Sequence, residues 1–310
     1  MTTATTSRRR SKYNAKEVGL AAAFLAPSLL IFSLFHPDVS GALRAAEPRR
    51  VATLAGAVVA WTLLVPAVRF DPYWLVIALA AATAPILALR LDRSPGRLTA
   101  LGLLVWLCWW IPFDLRWAGQ LWLGPPGLGY AAPSLLVTAL GLLAFGVVAR
   151  PDAGADETDP LRPPTPRDLG VGLGMLVALG VIVIPLGLVT GFLKTPHAPD
   201  GTFDEVTAQL VLKLIGIGIT VALPEEVYFR AVLDAGLRTR LRPLPSLALS
   251  SVLFGLMHWN NRPDRLNEQL AYLLLASIAG AFYGLAYRRG GLFAAVLCHT
   301  LVDVIWKAVL

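Results

Sequence analysis

Three ionisable residues stand close together in a long apolar stretch of the sequence, TVALPEEVYFRAVL. On a helix, Glu226 and Arg230 lie four residues apart on one face with the acid first, the order that favours an ion pair. Pairing lets both charges exist in apolar surroundings. Glu225 points about 100° away around the helix and takes no part in this pair. It is therefore the candidate general base for activating a water molecule.

Two later apolar stretches each carry a histidine. LFGLMHWNN places Phe254 and His258 four residues apart on one helical face, and LCHTLVDVIW places His299 and Asp303 in the same relation. A single histidine in a helical bundle is more often a packing residue. Ionisable groups in three apolar segments together indicate a functional site, because such groups are costly to bury in a membrane.

One glutamate and two histidines are suited to two kinds of chemistry. They can hold a water molecule for attack on a carbonyl group. Alternatively, Glu225, His258 and His299 can bind Zn²⁺ as three protein ligands and leave one position open. The spacing alone does not choose between them, and metal-free chemistry with Glu225 as the base is the favoured interpretation.

The composition predicts that these residues lie inside a membrane. The 310 residues are 56% hydrophobic and only 15% charged, and several apolar runs approach the roughly 18 residues that cross a bilayer as a helix. A closed barrel, the other structure that satisfies its backbone in lipid, would show short alternating strands instead. We therefore predict an all-α polytopic transmembrane bundle of about eight to ten spans, with the active site on helices of the C-terminal half.

The net charge of +7 does not indicate nucleic-acid binding. The arginines cluster between the apolar runs, which is typical of residues that set membrane topology. If ten spans alternate, most clusters fall on one side, which would be cytoplasmic: 44–50, 90–97, 150–167, 238–242 and 288–289. The N-terminal SRRRSKYNAK falls on the opposite side and is the exception.

A stretch rich in Pro, Asp and Arg, RPDAGADETDPLRPPTPRD, divides the chain. Its composition predicts a solvated loop, here bounded as 151–168. Residues 1–150 would form an N-terminal transmembrane extension of about five spans, with a regulatory or substrate-orienting role. Residues 169–310 carry the clustered polar groups and would form the catalytic membrane core.

The three motifs together resemble the CPBP family of intramembrane proteases. This family includes the type II CAAX prenyl endopeptidases and the bacteriocin-processing, Abi-like homologues. The matching residues are EEVYFR (225–230), FGLMH (254–258) and HTLVD (299–303). The stretch GAFYGLAYRRGGLFAAVLCHTLVD is also similar to the family's approach to its third motif. The resemblance covers roughly residues 207–310 and implies an endopeptidase that cleaves inside the membrane.

The resemblance also implies a role for each catalytic candidate. Glu225 matches the glutamate that activates water, and His258 would hold that water or a metal ion. His299 and Asp303 match the positions that stabilise the oxyanion, which requires hydrogen-bond donors aimed at the developing charge. An asparagine is the natural donor at the last position. A carboxylate donates only when protonated, so Asp303 would otherwise orient His299.

The remaining motif residues, Glu226, Arg230 and Phe254, would shape the site. The expected partners are a membrane-associated peptide or protein substrate and the lipid bilayer. A composition rich in Ala, Leu, Arg and Pro indicates a GC-rich bacterial genome. We therefore expect a bacterial plasma-membrane protein whose substrate is not a farnesylated protein.

Two other functions remain as alternatives. The chain could be a catalytically inactive relative of the proteases that binds peptide tails. It could also be a proton-coupled transporter, in which buried Glu, His and Asp residues relay protons. Transporters of that kind are built from two similar halves, whereas the halves of this chain differ sharply in polar content.

Overall fold

All regular secondary structure in the described part of the chain is helical. The structure, a computed structural model, describes residues 15–64, 72–90, 95–114, 131–149, 159–193, 202–259 and 266–309. No strand occurs in these ranges, which confirms the predicted all-α class. Within these ranges, three helices are long and apolar enough to cross a membrane: Pro166–Val189, Phe203–Arg238 and Leu266–Trp306.

Ten helices follow one another in the described ranges. They are α1 (Ala15–Leu34), α2 (Pro37–Arg44), α3 (Pro48–Leu64), α4 (Pro72–Arg90), α5 (Pro95–Asp114), α6 (Ala131–Gly141, continued by the π-helical Leu142–Val148), α7 (Pro166–Val189), α8 (Phe203–Arg238), α9 (Pro243–Leu256) and α10 (Leu266–Val309). Six of them begin at a proline. The first turn tolerates proline because its missing N–H would have no intrahelical partner there.

The last helix, α10, is broken by one glycine. Gly291 has φ 69° and ψ −169°, a backbone conformation that residues other than glycine rarely adopt. The break divides α10 into a first arm, 266–290, and a second arm, 292–309. The sequence predicts two spans here, 268–286 and 291–309, and the break lies where the second of them begins.

Helices α5 and α6, which belong to the predicted N-terminal extension, pack directly against α8. A Cβ added at Gly102 of α5 would collide with Val232 of α8 and lie 3.1 Å from Phe145 Cζ. The hydroxyl of Tyr228 on α8 donates a hydrogen bond to the Val137 carbonyl of α6 at 3.2 Å. Small residues at such contacts let helices approach closely inside a membrane.

Polarity is distributed as in a membrane protein. Glu226, Arg230 and Asp234 of α8 are fully buried at 0% exposure. By contrast, α7 turns large apolar side chains outward, and Val181 is 70% exposed. Lipid tails are as apolar as these outward-facing side chains, so this surface can contact the bilayer without charged residues.

Gly255 on α9 provides a test of this close packing. A Cβ at this position would lie 2.6 Å from the Leu273 carbonyl oxygen of α10, a backbone atom that cannot rotate away. We expect Gly255→Ala to destabilise the protein by about 1–3 kcal/mol, the usual cost of overpacking. Thermal unfolding in detergent measures the change. The matched control is Gly216→Ala on α8, where nothing lies within 4 Å of the added carbon, and an unchanged melting temperature for both variants would contradict the prediction.

Candidate active site

The two adjacent glutamates lie where α8 changes its winding. A short α-helical turn, Leu223–Glu226, stands between two π-helical stretches, Gly218–Ala222 and Val227–Asp234. Pro224 has no N–H to donate to the preceding turn, which is one recognised cause of such an interruption. π-helical turns are rare and frequently occur at functional sites. The sequence predicts a helix here but not its irregular winding.

Glu226 is the centre of a buried hydrogen-bonded chain. Its Oε2 accepts a hydrogen bond from Arg230 Nε at 2.8 Å, which confirms the pair predicted from the i,i+4 spacing. Its Oε1 accepts a hydrogen bond from His299 Nδ1 at 2.9 Å. A carboxylate only accepts, so the proton on Nδ1 is fixed by Glu226. The sequence analysis offered Asp303 for orienting His299, whereas the carboxylate that accepts this hydrogen bond belongs to Glu226.

The guanidinium of Arg230 is enclosed by helices α8, α9 and α10. Its Cζ lies 5.4 Å from the ring centroid of Phe254, a cation–π contact. Its Nη1 and Nη2 atoms have no hydrogen-bond partner among the described residues. Glu226 therefore supplies the principal neutralising charge of this buried cation.

Two aromatic rings fix the plane of the His299 imidazole. Tyr283, on the first arm of α10, stacks on it with ring centroids 4.4 Å apart and planes 13° apart. Phe254 of α9 contacts it edge-on at 5.7 Å. The sequence analysis placed Phe254 among the residues that shape the site, but it did not identify Tyr283. Tyr283 lies 16 residues before His299, and only the break at Gly291 brings the two rings together.

The other ring nitrogen of His299 faces two carboxylates. Nε2 lies 3.8 Å from Glu225 Oε2 and 4.0 Å from Asp303 Oδ1. Glu225 is 4% exposed, while the side chain of Asp303 is 27% exposed. Three of the four predicted catalytic residues thus converge on one atom.

The fourth predicted residue, His258, lies beside this group. Its Nδ1 is 2.8 Å from the Phe254 carbonyl oxygen, and because a carbonyl only accepts, Nδ1 carries the proton and Nε2 is left as an acceptor. The His258 ring contacts Phe254 at 4.8 Å. Phe254 contacts both histidine rings.

The comparisons with known proteins concern the segment that carries this geometry. Residues 207–305 match the sequence model of the family described as type II CAAX prenyl endopeptidase, Rce1-like. Over these residues the chain is similar to that family. The resemblance predicted from the three motifs is confirmed. The match supports an intramembrane protease in general terms, and we call the matched segment the Rce1-like domain. Neither the curated proteins nor the solved structures give a significant match to the chain.

The geometry of the Rce1-like domain does not fit the predicted zinc site. Among the described residues, no group of three or more His, Cys, Asp or Glu side chains is arranged to hold a metal ion. Of the three expected ligands, Glu225 and His299 approach each other, and the ring of His258 contacts Phe254. No catalytic step is assigned to a metal here.

A second buried ionic cluster in the Rce1-like domain was also missed by the sequence analysis. Asp234 of α8 accepts hydrogen bonds from Arg288 Nη2 at 2.7 Å and from Ser246 Oγ at 2.5 Å. Arg288 Nη1 also donates to the Pro243 carbonyl at 2.6 Å. Asp234 is nine residues beyond Glu225. The cluster ties together the three helices that carry the motifs.

Removing Arg230 should expose the cost of an unbalanced buried charge. Arg230→Met leaves the Glu226 carboxylate without its cation, and breaking a buried pair in this way costs about 3–5 kcal/mol. The double variant Glu226→Gln/Arg230→Met removes both charges and should recover most of that loss. Melting curves in detergent compare the two. Equal destabilisation by the single and double variants would contradict the pairing.

Tyr283 should affect catalysis through its ring rather than its hydroxyl. An aromatic pair contributes about 0.5–1.5 kcal/mol, so losing the stack on His299 should lower kcat by up to roughly tenfold. We expect this loss in Tyr283→Leu and near-normal cleavage in Tyr283→Phe, measured as peptide-bond hydrolysis in membranes. Equal rates in the two variants would show that stacking does not position His299.

Proposed function

We propose that the chain is an intramembrane endopeptidase that hydrolyses a peptide bond in a membrane-associated peptide or protein. The observation that carries the proposal is the buried approach of Glu225 Oε2 to His299 Nε2, 3.8 Å apart, within a domain of a protease family. A carboxylate facing an oriented imidazole provides a base beside a hydrogen-bonding group.

The separation of these two groups is suited to a bridging water molecule. At 3.8 Å they are beyond hydrogen-bonding distance of each other, and polar groups this far apart are commonly joined by water. Glu225 accepts a proton from this water as its oxygen attacks the carbonyl carbon of the substrate. The resulting tetrahedral intermediate carries its negative charge on the former carbonyl oxygen.

His299 would stabilise that oxyanion. Glu225, Glu226 and Asp303 surround it with carboxylates, and Arg230 is the guanidinium bonded to this group. In the imidazolium form of His299 both ring nitrogens donate. Nδ1–H binds Glu226, and Nε2–H is then available to donate to the oxyanion.

The intermediate collapses when the C–N bond breaks. Glu225 returns its proton to the leaving nitrogen, so the base of the first step is the acid of the second. Asp303, 4.0 Å from Nε2, would help to orient His299 rather than donate to the oxyanion itself. The acceptor Nε2 of His258 would hold a water or a substrate N–H at the edge of the site.

The proposed setting is a bacterial plasma membrane, with a bacterial peptide or membrane protein as substrate. This assignment is supported by the composition of the chain and by the three apolar helices long enough to cross a bilayer. The N-terminal helices α5 and α6 pack on α8, which supports a role for the extension in holding the catalytic helix.

Replacing the base should abolish cleavage without unfolding the site. Glu225→Gln keeps the size of the side chain and removes its ability to take a proton, so we expect kcat to fall by at least about 100-fold. The measurement compares newly formed peptide termini across the proteome of cells that produce the wild type or the variant. Termini that depend on Glu225 also identify the substrate.

The matched control is Asp204→Asn, which makes the same chemical change in the exposed first turn of α8. It should leave the pattern of termini unchanged. Identical termini from wild type and Glu225→Gln, with both proteins folded, would overturn the proposed proteolysis. A peptide-binding role without catalysis would then be the better explanation.

A further inference from the structure

Helix α5 lies outside the Rce1-like domain, residues 207–305, and runs antiparallel along α8. Near the start of α5, Thr99 would collide with a Cβ added at Gly236 of α8. Four residues earlier on α8, Val232 would collide with a Cβ added at Gly102 of α5. The contacts thus move forward along α5 as they move back along α8, in the direction of the catalytic glutamates.

Farther along, the same face of α5 carries two buried tryptophans. The ring of Trp106 lies 5.3 Å from that of Tyr228 and 5.5 Å from that of Phe229, both on α8. Trp110 stacks on Trp106 with ring centroids 5.6 Å apart and planes 10° apart. Residues four apart on a helix share one face, so the two rings continue the row of contacts. One more turn in this register brings Trp110 near the level of Glu225.

The Trp110 ring reaches a predicted catalytic residue. Its centroid lies 6.1 Å from that of the His258 ring, with the two planes 51° apart. This is a tilted aromatic contact, within the range of about 4.5–7 Å that attracting rings prefer. The N-terminal extension therefore contacts the candidate site itself as well as the helix that carries the glutamates.

The position of His258 makes such a contact important. His258 lies two residues beyond Leu256, the end of α9, and its Nδ1 is held by the Phe254 carbonyl at 2.8 Å. This single hydrogen bond fixes the tautomer, whereas the plane of the imidazole depends on what packs against it. Three rings do so, those of Phe254 at 4.8 Å, Tyr272 at 5.7 Å and Trp110 at 6.1 Å.

These three rings come from three different helices. Phe254 belongs to α9 and Tyr272 to the first arm of α10, both within the Rce1-like domain. Trp110 belongs to α5 and is supplied by the N-terminal extension. The imidazole of His258 is therefore held between the Rce1-like domain and a helix that precedes it in the chain.

We propose that Trp110 is a positioning residue for His258, so that the catalytic arrangement includes α5 of the N-terminal extension. This inference rests on the proposed proteolysis and adds a residue to it. By packing against the imidazole, Trp110 limits its rotation, and the acceptor Nε2 keeps one direction. That atom is the one that would hold a water or a substrate N–H. Trp110 itself transfers no proton, because an indole N–H only donates a hydrogen bond.

Two substitutions separate the aromatic contact from the filling of space. Trp110→Phe keeps a ring and Trp110→Leu does not, while both shorten the side chain. We expect Trp110→Leu to lower kcat by about twofold to tenfold, the loss that one aromatic pair accounts for, and Trp110→Phe to keep most of the rate. The full chain in membranes is assayed on a peptide that spans a Glu225-dependent cleavage site. Equal losses in the two variants would overturn the inference.

A double-variant cycle shows whether Trp110 acts through His258. Trp110→Leu should lower kcat in the otherwise unchanged chain and have no further effect when His258→Ala is also present. The same fold-loss in both backgrounds would indicate general packing and would overturn the proposal. The control is Trp61→Leu on α3, where the side chain is 46% exposed, and it should leave kcat unchanged.

A histidine spectrum tests the same contact without catalysis. The chain has four histidines, so the ring signals of His258 in isotope-labelled protein are assigned by their loss in His258→Ala. Aromatic ring currents shift nearby resonances, and we expect Trp110→Leu to move the His258 signals and Trp61→Leu to leave them in place. This spectrum decides the question where His258→Ala leaves no cleavage to measure.

The two proposals can therefore fail separately. Unmoved His258 signals in a Trp110→Leu chain that still cleaves would overturn the positioning role and leave the proteolysis standing. Moved signals in a chain whose wild type yields no Glu225-dependent termini would overturn the proteolysis and leave the positioning of His258 by Trp110 standing.

Discussion

The catalytic arrangement depends on one carboxylate that is shared by two partners. Glu226 is fully buried and accepts from Arg230 Nε with one oxygen and from His299 Nδ1 with the other. Without Arg230 its charge would be costly at this depth, and without Glu226 the tautomer of His299 would be undefined. Glu225, the neighbouring residue, is thereby left to face Nε2. Adjacent glutamates on one turn thus perform different tasks because the helix directs them to different neighbours.

Packing around this hydrogen-bonded chain sets its geometry. Phe254 of α9 contacts the guanidinium of Arg230 and the rings of both His258 and His299. One turn farther along α8 from Arg230, Asp234 contacts α9 and α10 through Ser246 and Arg288. The catalytic groups are therefore fixed between an aromatic contact on one side and a buried ionic cluster on the other. Inside a membrane such polar contacts matter because the hydrophobic effect between helices is absent.

The sequence was sufficient for what depends on local spacing. The helical class, the Glu226–Arg230 pair and the convergence of Glu225, His299 and Asp303 follow from apolar runs and i,i+4 relations together with the family resemblance. The sequence did not predict the contacts that depend on how the helices pack together. Tyr283 and Asp234 act through partners 16 and 54 residues away, and no spacing rule connects them. The orientation of the His258 ring likewise depends on its contact with the Phe254 carbonyl, and its role in holding water or a metal ion stays a prediction.

The break at Gly291 has a mechanical consequence for the imidazole. Tyr283 and His299 stand on different arms of α10, yet their rings are nearly parallel and in contact. The angle between the two arms therefore determines how the His299 imidazole packs against Tyr283. A small change in that angle would displace the His299 ring relative to Tyr283. The conformation of Gly291 thus determines where the His299 ring lies against Tyr283.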